Sequence, residues 1–163
     1  QFSFKLWAYG GSISFVMLPI MLMAIRWGLT AGLATGFIIG VLQMMFGAFI
    51  VHWLQAILDY GLAFTVVGFV AVIRNPVLQA AKALDKKKMT IYIILGALLG
   101  GTLRFVSHLL AGVVFFSEYA GEDNVWTYSI IYNGSYMLPA TLLTALVAVL
   151  LFTAAPRLLK SMK

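Results

Sequence analysis

Apolar residues along this chain run in long blocks instead of alternating, and few polar residues interrupt them. Five blocks stand out: about Ile13–Ile25, Leu29–Ile50, Trp53–Ile73, Met89–Phe116 and Tyr128–Ala155. A membrane-crossing helix needs about 20 largely apolar residues, so the last four blocks suit spans and the first is short. No stretch alternates with the period of two that a barrel strand would show. Lipid offers no partners to open strand edges, so helices are predicted. Pro19 and Pro139 lie inside the first and fifth blocks; each removes a backbone donor and predicts a kink. The segment "RNPVLQAAKALDKKKM" is the one clearly polar linker of any length. The predicted fold is an all-α polytopic membrane helix bundle, a single transmembrane domain over 1–163, without internal repeats.

Composition supports this. The chain is 63% hydrophobic and 10% charged, against about 45–50% and 25% in soluble domains. Its mean hydropathy is +1.00. Cysteine is absent and there are two histidines, so no disulfide, thiolate metal site or cysteine nucleophile exists and a metal site is not expected. The sequence contains no GxxxxGK[ST], HExxH or GxSxG motif, which leaves no visible ATP hydrolysis and no nucleophile–base pair. The chain is read as a non-enzyme without cofactors. Energy for uphill transport would come from a partner or an ion gradient.

The net charge of +6 invites a nucleic-acid reading, which the placement of the charges excludes. Arg26 follows the first block; Arg74, Lys82, Lys86, Lys87 and Lys88 follow the third; Arg157, Lys160 and Lys163 follow the fifth. These ends share one side, the cytoplasmic one by the positive-inside bias. The other side carries Lys5 and the acidic loop "SEYAGEDNVW" with Glu118, Glu122 and Asp123. The carboxyl terminus is thus expected in the cytoplasm. Five spans put the observed amino end outside, and the chain begins without Met, so a sixth span upstream is expected.

Gly28, Gly32, Gly36 and Gly40 recur every fourth residue, and Gly96 and Gly100 form a shorter pair. Such spacing lets helices approach closely in lipid. Packing within the bundle is the reading adopted; the alternative is a docking face for another membrane subunit.

The polar residues outside the loops fall into one set. It comprises Asp59 and Tyr60 on the third block and Arg104, Ser107 and His108 on the fourth. Tyr128, Ser129, Tyr132, Asn133, Ser135 and Tyr136 lie on the fifth. At 1.5 Å per residue, Asp59 lies about 22 Å above Arg74 and Arg104 about 22 Å above Met89. His108 is one turn higher on the same face as Arg104. Tyr128, Tyr132 and Tyr136 form one helical stripe. Charges in a span cost about 2.5–3.5 kcal/mol each and usually face a bundle interior or wet cavity. Asp59 and Arg104 as a simple buried ion pair is one reading, but it leaves His108, Asn133 and the tyrosines unused. A site open to the outside explains the whole set. A carboxylate with aromatic walls suits a flat, cationic, heteroaromatic ligand.

Four blocks carry a resemblance: "GGSISFVMLPIMLMAIRWGLTAGLATG", "QAILDYGLAF", "LRFVSHLLAGVVFFSEYA" and "YSIIYNGSYMLPA". In order, and over essentially the whole chain, they resemble the thiamine-specific substrate-binding subunits (S components) of energy-coupling factor transporters. The resemblance implies a six-helix bacterial cell-membrane protein that captures thiamine from outside. It implies partners too: a transmembrane coupling subunit and two cytoplasmic ATPase subunits. The match begins after the family's first helix, so this chain shows five of six helices, and the docking role of that helix falls on no residue here.

The resemblance also implies site roles. The family's acidic residue before a Tyr, which contacts the thiazolium ring, lands on Asp59 and Tyr60. Its histidine lands on His108, and its Tyr and Asn on Tyr128 and Asn133. A stacking Trp is Phe116 here, and a loop Trp of some members has only Trp7 or Trp126 as candidates. From the buried polar set itself, apart from the resemblance, Arg104, Tyr132 and Tyr136 complete the expected ligand-binding set. Two rivals stay open: an S component for a thiamine precursor or another vitamin, and a self-sufficient proton-coupled secondary carrier using Asp59, Arg104 and His108.

Overall fold

The computed structural model describes residues 3–7, 10–46 and 48–159, with side chains from residue 11 onward. The side chains of Lys5, Trp7, Lys160 and Lys163 lie outside the described residues. The chain opens with a hairpin that the block pattern did not predict. Strand β1 (Ser3–Trp7) pairs antiparallel with β2 (Gly10–Ser14), Phe4 opposite Ile13 and Ser3 opposite Ser14. Five residues per strand are too few for alternation to stand out beside an apolar block. β2 packs against the last long helix.

Five helices follow. α1 (Met17–Trp27) has 11 residues and α2 (Leu29–Met45) has 17. α3 (Trp53–Lys82), α4 (Lys86–Phe115) and α5 (Val125–Ala154) have 30 residues each and are long and apolar enough to cross a membrane. The first block is therefore shorter as a helix than expected, because Ile13 belongs to β2. Pro19 sits in the first turn of α1, where the missing N–H had no helical partner anyway, so no kink is called for. Pro139 lies well inside α5 and deprives the Ser135 carbonyl of its helical donor.

The expected linker at 74–89 is mostly helix. Arg74–Lys82 continues α3, and only Ala83–Asp85 turn the chain. Leu84 takes φ 56° there and its side chain is 83% exposed. A leucine gains nothing at a left-handed position that glycine occupies freely. Leu84→Gly is expected to stabilise the protein by about 1 kcal/mol, read as a higher thermal midpoint in detergent. Asp85 then caps α4, its carboxylate accepting from the Lys88 N–H at 3.0 Å. That bond holds the Asp85 carboxyl below the usual carboxylate range.

α3 is not a uniform helix. It passes from α (Trp53–Ala56) to π (Ile57–Leu62), briefly to α again (Ala63–Thr65), and then to 3₁₀ (Val66–Ile73). The glycine stripe of α2 lies against this stretch. A methyl on Gly40 would strike the Tyr60 carbonyl oxygen, one on Gly36 the Phe64 carbonyl, and one on Gly32 would meet Ala24 Cβ at 2.7 Å. From the other side, Gly68 abuts the backbone of Leu33. Gly96 and Gly100 face Ile73, Val70 and Val67. The stripe is thus spent on packing inside the bundle, as expected. It brings the π turn of α3, which carries Asp59 and Tyr60, hard against α2.

The buried core joins Met17, Ile20 and Met21 of α1 to Phe64, Val67 and Val70 of α3, Ile93 of α4 and Phe152 of α5. The opposite faces are apolar and exposed, with Phe37, Ile38, Val72, Leu95 and Leu146 between 51% and 64% exposed. Lipid is the solvent that such faces need.

Candidate ligand-binding site

Asp59 sits near the start of α3, His108 in the last third of α4, and Tyr128 to Tyr136 in the first half of α5. The three helices run in alternate directions, so these residues share one end of the bundle. Arg26, Arg74, Lys82, Lys86–Lys88 and Arg157 gather at the other end.

The centre of the site is a carboxylate held by two donors. His108 Nδ1 lies 2.8 Å from Asp59 Oδ1. An ionised carboxylate only accepts, so the imidazole donates its Nδ1–H. Gln55 Nε2 donates to Asp59 Oδ2 at 2.6 Å. The Asp59 and His108 side chains are 14% and 11% exposed. His108 Nε2 is buried without a hydrogen-bond partner, which leaves it as an open acceptor in the neutral imidazole.

Arg104 does not pair with Asp59. The guanidinium carbon lies 4.3 Å from the centre of the Phe64 ring, and Nε and Nη1 are buried without partners. Phe64 also meets His108 edge-on, ring centres 6.5 Å apart. The simple Asp59–Arg104 ion pair is therefore absent. One turn deeper along α4 than His108, Arg104 finds the aromatic face before it finds the carboxylate.

The aromatic stripe of α5 forms as its spacing predicts. Tyr128 and Tyr132 stack with centres 5.9 Å apart, and Tyr132 meets Tyr136 edge-on at 6.1 Å. Tyr136 in turn meets His108 edge-on at 6.2 Å. Tyr128 and Tyr132 are half-buried, while Tyr136 is 5% exposed. Asn133 is buried between α4 and α5. Its amide donates to the Ser129 carbonyl (3.0 Å), to Ser129 Oγ (3.1 Å) and to the His108 carbonyl (3.4 Å), and its oxygen accepts from Tyr136 Oη at 2.7 Å. Gly112 allows this approach, since a methyl there would strike Ser129 Oγ.

Phe116 ends α4 and packs against Phe49 (6.2 Å) and Tyr119 (5.7 Å). Trp126 stands on the first turn of α5, 52% exposed. His52 caps α3, with Nδ1 accepting from the Leu54 N–H at 3.1 Å, and stacks on Phe115. It belongs to the helix end, apart from the Asp59–His108 contact.

Sequence reasoning missed Gln55 and the segment Ala48–His52. Gln55 is 1% exposed and lies one helical turn before Asp59, a spacing that places two side chains together on one face. A lone glutamine at that offset in an apolar block was a usable signal. The Tyr60 hydroxyl accepts from the Phe49 N–H at 3.1 Å, a contact between segments that spacing cannot announce.

The geometry therefore offers one carboxylate with no arginine or lysine paired to it among the described residues, one imidazole nitrogen without a hydrogen-bond partner, and several ring faces at one end of a membrane bundle. That combination recognises a flat aromatic cation that also carries an N–H donor. A family model described as "Thiamine transporter protein (Thia_YuaJ)" matches residues 2–160. The thiamine transporter ThiT of Bacillus subtilis (strain 168) is 41% identical over 156 residues, covering 94% of this chain and 81% of that protein. Its namesake in Lacticaseibacillus paracasei is 35% identical over 151 residues, covering 90% and 75%. A solved structure of ThiT from Listeria monocytogenes superposes with a TM-score of 0.87 at 31% identity, over 96% of this chain and 87% of that one. With the match running through nearly every described element, the chain belongs to the thiamine transporter protein family.

Proposed function

We propose that this membrane protein binds thiamine from the outer side at the Asp59–His108 centre and hands it on as the substrate-binding subunit of an energy-coupling factor transporter. The observation that carries the proposal is the state of Asp59. Its carboxylate is largely buried and held by an imidazole and an amide, with no arginine or lysine paired to it among the described residues. A buried carboxylate without a counter-charge is costly, and a thiazolium ring supplies that charge.

In this reading the ring lies beside Asp59 and against the faces of Tyr60, Phe116, Tyr128 and Tyr132. His108 Nε2 accepts from the exocyclic amine of the pyrimidine. Asn133 holds Tyr136 and the α4–α5 contact. Trp126 lies at the rim. The basic end of the bundle faces the cytoplasm, carboxyl terminus included, by the positive-inside bias. The sequence holds no nucleotide-binding loop, so the energy is assigned to partners: a transmembrane coupling subunit and two cytoplasmic ATPase subunits. The role is transport, not catalysis, in keeping with the family.

Titrating thiamine into the detergent-solubilised protein while following tryptophan fluorescence is expected to give saturable quenching at micromolar concentration or below. Flat titration curves would overturn the reading. Displacement by pyrimidine or thiazole fragments alone, more tightly than by thiamine, would reassign the ligand to a precursor. The Asp59–His108 pair also favours a second reading, proton-coupled carriage. Vesicles holding only this chain, given a pH gradient and no ATPase, are expected not to accumulate thiamine; accumulation would select the carrier.

A further inference from the structure

The donor on the far side of Asp59 belongs to a residue with a second set of bonds. Gln55 Nε2 donates both to Asp59 Oδ2 (2.6 Å) and to the Phe49 carbonyl (3.2 Å), and Gln55 Oε1 accepts from the Val51 N–H at 3.2 Å. Its two N–H groups and one of its lone pairs are used, at 1% exposure. Phe49 is thus held at both backbone groups by side chains of α3, its N–H by Tyr60 and its carbonyl by Gln55. Its ring rests on Phe116, which rests on Tyr119. Ala48–His52 has no helix or strand structure of its own. Its backbone at Phe49 is held by this pair of side chains, adjacent in space to the carboxylate, beside the ring contacts of Phe49 and His52.

We propose that Gln55 is a positioning residue that links the Asp59 carboxylate to the segment Ala48–His52, making that segment a cap whose hold depends on what Asp59 binds. This rests on the reading of Asp59 as the thiamine contact. The physical argument is one of shared geometry, since a single planar amide must aim one N–H at the carboxylate and the other at the Phe49 carbonyl. Without ligand, the largely buried charge of Asp59 has only His108 and Gln55 to satisfy it. The Gln55 amide is divided between the carboxylate and Phe49. A cation beside Asp59 takes over part of that demand, so the Gln55 amide bonds the Phe49 carbonyl more fully. The cap then tightens over the occupied site. Losing Gln55 removes its two bonds to the segment together with its bond to Asp59, and leaves the Tyr60 hydrogen bond and the ring contacts of Phe49 and His52.

The chain has no cysteine, so Ile50→Cys, at a position 50% exposed, places a unique thiol on the cap. Its alkylation by a charged maleimide is measured with and without saturating thiamine, and thiamine binding is measured on the same samples by fluorescence. In the Ile50→Cys background thiamine is expected to slow labelling at least threefold. Adding Gln55→Met, which keeps the side-chain length, is expected to give fast labelling in both conditions and a roughly tenfold weaker affinity. Gln55→Glu keeps the Val51 acceptor but loses both donors, and is expected to lose the ligand response in the same way, whether or not Gln55→Met folds. Adding Tyr60→Phe in place of the Gln55 changes is expected to speed labelling while keeping a ligand response. If Tyr60→Phe abolishes the response as fully as Gln55→Met, general loosening explains both and the inference fails. If thiamine binds but never changes labelling at position 50, the inference also fails while the thiamine site stands. If thiamine does not bind the parent protein, the reading of the site falls and the inference with it.

Discussion

Asp59→Asn is expected to weaken thiamine binding by on the order of 100-fold while leaving the fold intact. The substitution keeps the shape of the side chain and leaves an amide oxygen to accept from Gln55. What disappears is the charge and one of the two acceptors, the new amide N–H facing His108 Nδ1, which accepts in its other tautomer. A hydrogen bond or contact to a charged group contributes about 1.5–3 kcal/mol, and the loss of a desolvated partner from a buried pair costs about 3–5 kcal/mol. A factor of 100 corresponds to about 2.7 kcal/mol, near the top of the first range and just below the second. In the ligand-free protein the sign reverses. A carboxylate 14% exposed with no arginine or lysine paired to it among the described residues is a burden, so the asparagine variant is expected to match or exceed the parent's thermal midpoint. Affinity is measured by isothermal titration and stability by thermal unfolding in detergent. A variant that binds within threefold of the parent would show that Asp59 does not balance the cation. A variant that fails to fold would assign the carboxylate to structure instead.

Gly40→Ala is expected to be as damaging, although it adds one methyl group outside the proposed ligand contacts. An added Cβ would collide with the Tyr60 carbonyl oxygen and lie 3.0 Å from its carbon, in a row where Phe64 Cβ is 3.5 Å away. The obstacle is backbone, which cannot rotate out of the way as a side-chain end can. Either α2 and α3 separate or the π turn Ile57–Leu62 shifts, and Asp59 and Tyr60 shift with it. Overpacking of this kind costs about 3 kcal/mol. The expected result is a thermal midpoint lower by several degrees and thiamine affinity reduced at least tenfold. Gly134→Ala is the control. It also falls within a helix, but nothing lies within 4 Å of its added methyl, so helix propensity alone predicts a gain of about 0.5–1 kcal/mol and unchanged binding. Equal effects from the two substitutions would refute the close-packing argument.

The two expectations draw on different sources of information, and the difference follows from the ranges over which the interactions act. Membrane placement, the helical class and the sidedness of charge are properties of single segments against a uniform solvent. Hydropathy and Lys/Arg counts therefore carried them, and α2 to α5 fall close to the blocks read from the chain. Candidate residues were legible for a related reason. An ionisable group in hydrocarbon is costly enough that Asp59, Arg104 and His108 stand out one by one, and helical spacing aligned Tyr128, Tyr132 and Tyr136 in advance of any coordinates. Resemblance to a family added the ligand.

Tertiary structure alone decided the partners. Whether Asp59 meets Arg104 or His108 depends on which turn of α4 faces the π turn of α3, and a rotation of one residue position moves a side chain by about 100°. The glycine stripe could have faced a second protein or its own bundle, and only the packed backbone of α3 settles that it faces inward. Gln55 and Tyr60 reach Phe49 across a loop whose path no periodicity encodes, and the hairpin Ser3–Ser14 was too short to announce itself. Sequence determined which groups must avoid lipid, because that cost is paid residue by residue; the fold determined which of them satisfy one another, because that depends on distances of a few Å between segments far apart in the chain.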